Sequence, residues 1–341
     1  MDYLYEYLAF IAKSASLVAV IVIGLVTILL VIAKQKASKG SLELDDLSER
    51  FSEIQHQMEQ SLLEKSELKA LGKQRKAEAK IRRKEEEGRE KNRVFVIDFK
   101  GGMEAKEVSA LREEVTAILA IAKPQDEVLV RLESGGGVVH GYGLCASQLQ
   151  RIRDKGIHLT VAIDKVAASG GYMMACVAQR IIAAPFAIVG SIGVVAQLPN
   201  FNRLLQKNDI DYEQHTAGQY KRTLTLFGKN DDAARQKFRA ELESIHQQFK
   251  QFVASHRPRL DLDAVATGEH WLAVEAKKLH LVDEIRTSDD YLQEIYEQKQ
   301  VVAIRFKQPK GLSERLGKGV SMGVETGLMR LWQHFRMPFG A

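Results

Sequence analysis

Hydrophobic and polar positions change character several times along the chain, and the first stretch is an uncharged apolar run from Ser14 to Ala33. At a rise of about 1.5 Å per residue, a helix over this run spans roughly 30 Å, the hydrocarbon thickness of a bilayer. A cleaved signal peptide would have a basic start, a shorter apolar stretch and a small-residue cleavage site, whereas this run ends directly at Lys34 and Lys36. The pattern favours an uncleaved membrane anchor over residues 1–33; a signal peptide and a buried core helix are the alternatives.

The next stretch, residues 34–93, is rich in charge and poor in aromatic side chains. Between Glu64 and Arg93, 19 of 30 residues are charged, and residues that favour helices carry both signs at three- and four-residue spacing. This pattern predicts a solvated helical linker. Binding to anionic lipid headgroups is an alternative, whereas nucleic-acid binding is not expected because no aromatic side chains are interleaved for stacking.

The pattern changes again after Arg93, where strands and helices begin to alternate. Strand-like apolar runs occupy residues 94–99, 127–134, 157–164, 180–184 and 192–197, and helical spacing lies between them and again over 231–256. Alternation of this kind predicts an α/β domain, which we place at residues 94–308. The remaining residues, 309–341, have Gly/Ser character and then an aromatic, basic end, which is typical of a disordered tail or a segment on the bilayer surface.

The composition of the chain excludes several kinds of structure and metal site. The chain has 341 residues, 45% of them apolar, and a formal net charge of +5. Residues 64–93 contain twelve Lys/Arg and seven Asp/Glu, so this stretch carries the whole excess, and the rest of the chain is balanced. Two cysteines exclude a disulfide scaffold and a Cys-cluster zinc site, and no H-E-x-x-H motif is present. We expect neither a metal nor a cofactor.

Three short stretches carry candidate chemistry. Ser134-Gly135-Gly136-Gly137 follows an apolar strand, where it is either a flexible loop or a segment that presents backbone N–H groups to a ligand. Ala168-Ser169-Gly170-Gly171 begins a helix, so its serine is either a helix cap or a nucleophile beside the Gly170 amide. Lys221 ends the third stretch, Ala217-Gly218-Gln219-Tyr220-Lys221, and a lone lysine is usually a solvated charge.

In this order, the three stretches resemble the Ser–Lys peptidase family of bacterial signal peptide peptidase A, from about residue 94 to about residue 290. The resemblance implies that Ser169 is the nucleophile, Lys221 the general base and Ser191 the residue that orients the lysine. It also implies an oxyanion hole from the Gly136 loop, together with the Gly170 amide. The family commonly has Ser-Pro-Gly-Gly where this chain has Ser-Gly-Gly-Gly, so the loop lacks the backbone restraint of a proline.

The resemblance further implies a crotonase/Clp-protease-like fold of stacked β-β-α units behind the anchor and linker. It implies a serine endopeptidase that acts through an acyl-enzyme on peptides or proteins near the membrane, such as signal-peptide remnants or damaged proteins. A ring-like homo-oligomer is expected, in which serine and lysine can come from neighbouring subunits. The implied location is the bacterial inner membrane; the basic residues after the anchor favour a cytoplasmic domain, but large domains can override that rule, so the side stays open.

The chemistry of a Ser–Lys dyad sets a structural condition. A serine hydroxyl needs an adjacent base, and a lysine amine, with a reference pKa of about 10.4, is protonated at neutral pH. An apolar pocket favours the uncharged amine because desolvation penalises the charged form. We therefore expect Lys221 in a dry environment near Ser169, with the neutral hydroxyl of Ser191 aiming its nitrogen.

Other interpretations stay open at this stage. His140 or His215 could serve as the base of a Ser–His–Asp triad, because triads are defined by geometry and not by chain order. A membrane-tethered scaffold that has lost catalysis would keep the same fold. Acyl-CoA chemistry is a weaker candidate, since only one carboxylate, Glu133, lies beside the glycine loop. Cys145 and Cys176 fall on predicted helices and are expected to be small buried hydrophobes.

Overall fold

The computed structural model describes residues 40–85 and 92–308, together with single positions between 10 and 24. Residues 43–306 form one compact unit. Most of the predicted anchor and the whole predicted tail, 309–341, lie outside the described residues. Among the residues that are described, no helix has both the length and the apolar character needed to cross a membrane.

Ten strands and ten helices make up the described chain. The strands are β1 (Ser41–Asp46), β2 (Arg93–Gly101), β3 (Glu127–Ser134), β4 (His158–Ile163), β5 (Val166–Ala168), β6 (Arg180–Ala183), β7 (Ile188–Gly190), β8 (His270–Leu272), β9 (Glu284–Ile285) and β10 (Gln300–Lys307). The helices are α1 (Leu47–Leu62), α2 (Lys65–Glu85), α3 (Val108–Ile121), α4 (Val139–Asp154), α5 (Gly170–Ala175), α6 (Asn202–Lys207), α7 (Asp232–His256), α8 (Leu262–Val265), α9 (Ala273–Lys278) and α10 (Ser288–Ile295).

The strands form one sheet with a branch. Its main path runs β1-β10-β2-β3-β4-β6-β9, and the neighbours from β10 to β9 are parallel. The branch leaves β3, from which β5 and β7 continue in parallel and β8 pairs antiparallel with β7. Parallel neighbours need a crossover connection, which the intervening helices supply. Because β7 and β8 are antiparallel and the neighbours from β10 to β9 are parallel, the sheet is mixed. The alternation of strands and helices confirms the predicted α/β class.

Both faces of the central strands are buried, as expected of parallel strands covered by helices. In β2, Ile97 belongs to a core that includes Leu111 of α3 and Leu149 of α4. Its neighbour Val96 points to the opposite face, in a smaller core that includes Leu292 of α10. The alternation follows from the two-residue period of a strand. Packing on both faces fixes the positions of the central strands, including their carboxyl ends.

Part of the predicted linker packs onto this unit. Leu47 of α1 is buried in the smaller core, and the ring of Phe51 lies 5.2 Å from that of Tyr296. Leu47 and Phe51 are four residues apart and therefore share one face of α1. The Ser48 hydroxyl also accepts a hydrogen bond from the Val301 amide at 2.9 Å. The first turn of α1 therefore packs on the compact unit, whereas most of the rest of α1 is exposed, as expected of a solvated linker, and the charged stretch behind it is helical, in α2.

The strand expected at residues 192–197 lies earlier in the chain, as β7. Residues 191–201 have no regular secondary structure. Gly190 has a φ of 97° and Ser191 a φ of 53°, both in the left-handed region that an extended strand cannot continue through. The apolar residues from Ile192 onward therefore form a turn, which matters because it borders the candidate site.

Candidate active site

Two short parallel strands bring two of the predicted serines side by side. Ala168, at the end of β5, pairs with Gly190, at the end of β7, and the Ser169 amide donates a hydrogen bond to the Gly190 carbonyl at 2.8 Å. The next residues along each strand are Ser169 and Ser191, with φ values of 52° and 53°. The sheet thus places the predicted nucleophile and the predicted orienting serine at neighbouring positions, each in a backbone conformation that non-glycine residues rarely adopt.

Ser169 directly precedes α5, but it does not cap the helix. Its φ of 52° and ψ of −119° lie outside the conformation typical of an N-cap, and its side chain makes no capping hydrogen bond. Among the described residues, its hydroxyl has no hydrogen-bond partner. The capping alternative is therefore not what the geometry shows; the backbone strain presents the hydroxyl to the space in front of the sheet.

The glycine loop reaches this same point from β3. Gly136 has a φ of 88°, and a Cβ added there would lie 2.7 Å from the Gly170 nitrogen and 2.8 Å from the Ser169 Cβ. A Cβ at Gly137 would lie 2.0 Å from the Met103 carbonyl oxygen. Only glycine fits at these two positions, because any side chain would collide with Ser169 and Gly170 or with the loop after β2.

A cavity of about 480 Å³ opens in front of Ser169. Gly137 and Gly170 line it beside the serine, and most of the other walls are apolar side chains. These are Val139, Met173, Val194, Val195, Ile245, Phe249 and Phe252. Gly136 is not among the lining residues, and its amide donates to the Ser134 hydroxyl at 3.1 Å. Gly137 therefore faces the reaction space, a position that the sequence could not single out among three consecutive glycines.

Lys221 lies elsewhere in the isolated chain. It is exposed in the segment between α6 and α7, where its amide donates to the Gly218 carbonyl at 3.1 Å. It does not line the cavity in front of Ser169. The structure thus brings together Ser169, Ser191, Gly136 and Gly170, and it leaves Lys221 out of this group. The dry environment expected for the lysine is absent from the single chain.

The candidate histidine bases do not replace it. His140 is exposed on α4, and His215 is exposed, with its Nε2 3.3 Å from a Glu213 oxygen. A third histidine, His246 of α7, is half-buried, and its Nε2 lies 3.1 Å from the Ile192 carbonyl oxygen, in the turn after Ser191. Within the described part of the chain, no histidine hydrogen-bonds the Ser169 hydroxyl, so the described residues form no Ser–His pair at this site.

Both cysteines are buried and unavailable for chemistry. Burial raises the pKa of the Cys145 thiol to about 12, and it does the same to the Cys176 thiol. A thiol with a pKa that high is almost entirely protonated at neutral pH, and the protonated form is not a nucleophile. The expectation that these residues are small buried hydrophobes agrees with their positions in the main core.

Comparisons with known proteins decide the family. Residues 2–149 match the N-terminal model of peptidase family S49, and residues 151–302 match the model of peptidase family S49 itself. The chain is 50% identical over 293 residues to the probable protease SohB of Haemophilus influenzae, an alignment that covers 83% of each protein. The chain belongs to peptidase family S49. This confirms the family indicated by the three motifs, and the S49 chain is accordingly a serine protease.

A second relative agrees with this S49 membership. The putative protease SohB of Buchnera aphidicola subsp. Baizongia pistaciae is 42% identical over 328 residues, covering 93% of this chain and 94% of that protein. Among solved structures, the 1510-N membrane-bound stomatin-specific protease in complex with a substrate peptide is 17% identical, with a TM-score of 0.38, and covers 60% of this chain and 80% of that one.

Proposed function

We propose that this S49 peptidase is a membrane-anchored serine endopeptidase in which Ser169 is the nucleophile and Lys221 the general base. One observation carries the assignment of the nucleophile. The Ser169 hydroxyl stands on a strained backbone between the glycine loop and the Ser191 turn, at the mouth of an apolar cavity. Backbone strain of this kind persists where the surrounding structure enforces it, and it is concentrated at functional sites.

The proposed reaction requires the Lys221 amine to be brought to the Ser169 hydroxyl. The Ser169 hydroxyl oxygen attacks the carbonyl carbon of the scissile bond, while its proton passes to the uncharged amine of Lys221. The resulting oxyanion accepts hydrogen bonds from backbone amides. The C–N bond then breaks, the lysine returns the proton to the leaving amine, and an ester on Ser169 remains. Water, deprotonated by the same amine, attacks the ester carbonyl carbon; the C–O bond to Ser169 breaks, and the lysine returns the proton to the Ser169 oxygen. Ser191 keeps the lysine nitrogen in line throughout.

The Gly170 amide and an amide of the glycine loop are the proposed oxyanion donors. Gly136 is the residue that the family resemblance suggested, but its N–H is committed to the Ser134 hydroxyl. Gly137 lines the cavity with Ser169 and Gly170, and its amide has no hydrogen-bond partner among the described residues. We therefore assign the loop's donor to Gly137, and to Gly136 the task of holding the loop close to Gly170.

The lysine is proposed to come from a neighbouring subunit of a ring-like homo-oligomer. Lys221 is exposed, and the segment that carries it, residues 208–231, also exposes Ile210, Tyr212, Tyr220, Leu226 and Phe227. Exposed apolar side chains concentrated in one segment are typical of an interaction surface. Packing of this segment over a neighbour's Ser169 would remove water from the amine, which is the condition that the dyad needs.

The proposed substrates are peptides or proteins at or near the bacterial inner membrane, such as signal-peptide remnants or damaged proteins. The apolar lining of the cavity supports a preference for apolar side chains next to the scissile bond. The anchor over residues 1–33 is proposed to hold the enzyme there. We also propose the stacked β-β-α architecture of the crotonase/Clp fold, since the β4-β5 pair recurs as β6-β7, with β4 beside β6 and β5 beside β7.

The test uses variants of the two dyad residues. Ser169→Ala and Lys221→Ala should each abolish cleavage of a peptide with apolar residues around the scissile bond, while Lys207→Ala, another exposed lysine of the same region, should keep it. Mixed oligomers of Ser169→Ala and Lys221→Ala subunits should regain part of the activity. Cleavage retained by either single variant would reject the dyad, and verified mixed oligomers without activity would reject the sharing of residues between subunits.

A further inference from the structure

Tyr142 of α4 is buried between the glycine loop and the nucleophile's helix. Its side chain is fully shielded from solvent, and a Cβ added at Gly170 would lie 2.4 Å from the Tyr142 Cγ. The phenol oxygen lies 2.5 Å from the Ser134 hydroxyl and donates to the Gly102 carbonyl at 2.8 Å. One side chain thus contacts the loop after β2, the end of β3 and the residue after Ser169.

The Ser134 hydroxyl extends these contacts to the glycine loop. It accepts the Gly136 N–H at 3.1 Å and lies 3.1 Å from the Gly101 carbonyl oxygen. Two hydroxyl protons, one from Ser134 and one from Tyr142, therefore serve three contacts: the one between the hydroxyls and one to each carbonyl. The orientation of one proton restricts that of the other, so the two hydroxyls act as a coupled unit.

Burial strengthens this unit. Ser134 is 2% exposed and Tyr142 is 0% exposed, and a hydrogen bond lost in such a place leaves a polar group without water to replace it. Desolvation raises the pKa of the Tyr142 phenol, which keeps it protonated as a donor. The loop itself has glycine at position 135, where the family commonly has proline, so its backbone is not restrained by its own sequence.

We propose that Tyr142 and Ser134 are positioning residues of the protease reaction. Their linked hydroxyls hold the Gly136 amide, and this fixes the following amide, that of Gly137, against the oxyanion that forms at Ser169. The side chains supply the restraint that a proline would otherwise give. This inference rests on the proposed roles of Ser169 and the glycine amides, and it adds two residues that act through the glycine loop; of these, Tyr142 also lines the cavity in front of Ser169.

Tyr142→Phe removes the phenol oxygen and keeps the ring against Gly170. Removal of one oxyanion donor lowers kcat by about 10²–10³-fold. A donor that is displaced but still present should lower kcat by less, so we expect kcat to fall by about ten- to hundredfold. KM should stay within about twofold, because a donor that acts on the oxyanion contributes to the transition state and little to the ground state. Ser134→Ala should give the same separation of kcat from KM.

Tyr172→Phe is the matched control. Tyr172 is equally buried, and its hydroxyl donates to the Leu281 carbonyl at 2.9 Å, away from the glycine loop. Its loss should lower stability as Tyr142→Phe does and leave kcat near that of the wild type. The double variant Tyr142→Phe/Ser134→Ala should be no slower than the slower single variant, because the two hydroxyls form one unit.

The outcomes separate this inference from the proposed function. Labelling of Ser169 in the wild type by a serine-reactive phosphonate tests the nucleophile; no labelling would refute the proposed function itself. With Ser169 labelled, an unchanged kcat in folded Tyr142→Phe, or a loss no larger than in Tyr172→Phe, would overturn the positioning role. If Tyr142→Phe does not fold, Ser134→Ala decides alone, and a kcat within twofold of the wild type would reject the inference.

Discussion

The strained backbone at Ser169 predicts that glycine at this position gives a more stable protein than alanine does. A non-glycine residue in a sparsely populated backbone region costs about 1–3 kcal/mol, and Ser169 has a φ of 52° and a ψ of −119°. Glycine relieves this strain but adds about 0.5–1 kcal/mol of unfolded-state entropy. Ser169→Gly should therefore be more stable than Ser169→Ala by about 0–2.5 kcal/mol, with a central value of about 1 kcal/mol.

The comparison of the glycine and alanine variants isolates the backbone, because both lack the hydroxyl. Their unfolding is measured side by side, by urea titration and by heating, in the same detergent. About 1 kcal/mol moves the Tm by roughly 2–4 °C in a domain of this size, so the glycine variant should unfold a few degrees higher, with an unchanged dependence on urea concentration.

Ser147 provides a control of opposite sign. It is exposed within α4, where glycine is less favourable than alanine by about 1 kcal/mol. Ser147→Gly should therefore be the less stable member of its pair. If Ser169→Ala matched or exceeded Ser169→Gly in stability while the Ser147 pair behaved as expected, the backbone at 169 would not be strained, and the argument that places the nucleophile there would lose its support.

Two further predictions concern groups away from the nucleophile. Burial raises the pKa of Glu127, but hydrogen bonds from Tyr291 and Lys299 outweigh it, so that pKa lies below its ordinary value. The carboxylate therefore contributes stability above the unfolded pKa of about 4.3, and this contribution is lost as the pH falls through the lower folded value. Glu127→Gln should reduce the loss of unfolding free energy at acid pH, as measured by urea titrations. An unchanged loss at acid pH would contradict this. Cys145 and Cys176, each with a pKa of about 12, should resist alkylation by iodoacetamide at pH 8 in the folded protein and react within minutes in denaturant, as mass spectrometry can show; rapid labelling of the folded protein would refute their burial.

The elements with strong local patterns could be predicted from the sequence. The run at residues 127–134 is the strand β3, and the helix expected at 231–256 is α7, Asp232–His256. In both cases the apolar period is long and uninterrupted, and polar residues mark the ends, such as Asp231, whose side chain caps α7. Local physics determines these elements, so distant contacts do not change the outcome.

Elements that depend on distant partners could not be predicted. The packing of Leu47 and Phe51 depends on Tyr296 and its neighbours, which are far away in sequence. The sequence of α1 alone therefore predicts only a solvated linker. The end of β7 depends on the left-handed backbone of Ser191, which no hydrophobic period reveals. The motifs at Ser169 and in the glycine loop were found because their residue types are restricted by close approach. That Gly137 lines the cavity and Gly136 does not depends on how the loop folds against Gly170 and Met103, which three consecutive glycines do not reveal.

The pairing of β5 with β7 has a consequence for how this site can vary among related proteins. The two serines are adjacent because Ala168 pairs with Gly190, and not because a fixed number of residues separates them. Insertions or deletions in the connection through α5 and β6 would leave their contact intact, whereas a shift of one position in the pairing would turn one serine away from the other. Divergent members of the family should therefore be recognised by two short runs of small residues, each ending in serine, with a variable stretch between them.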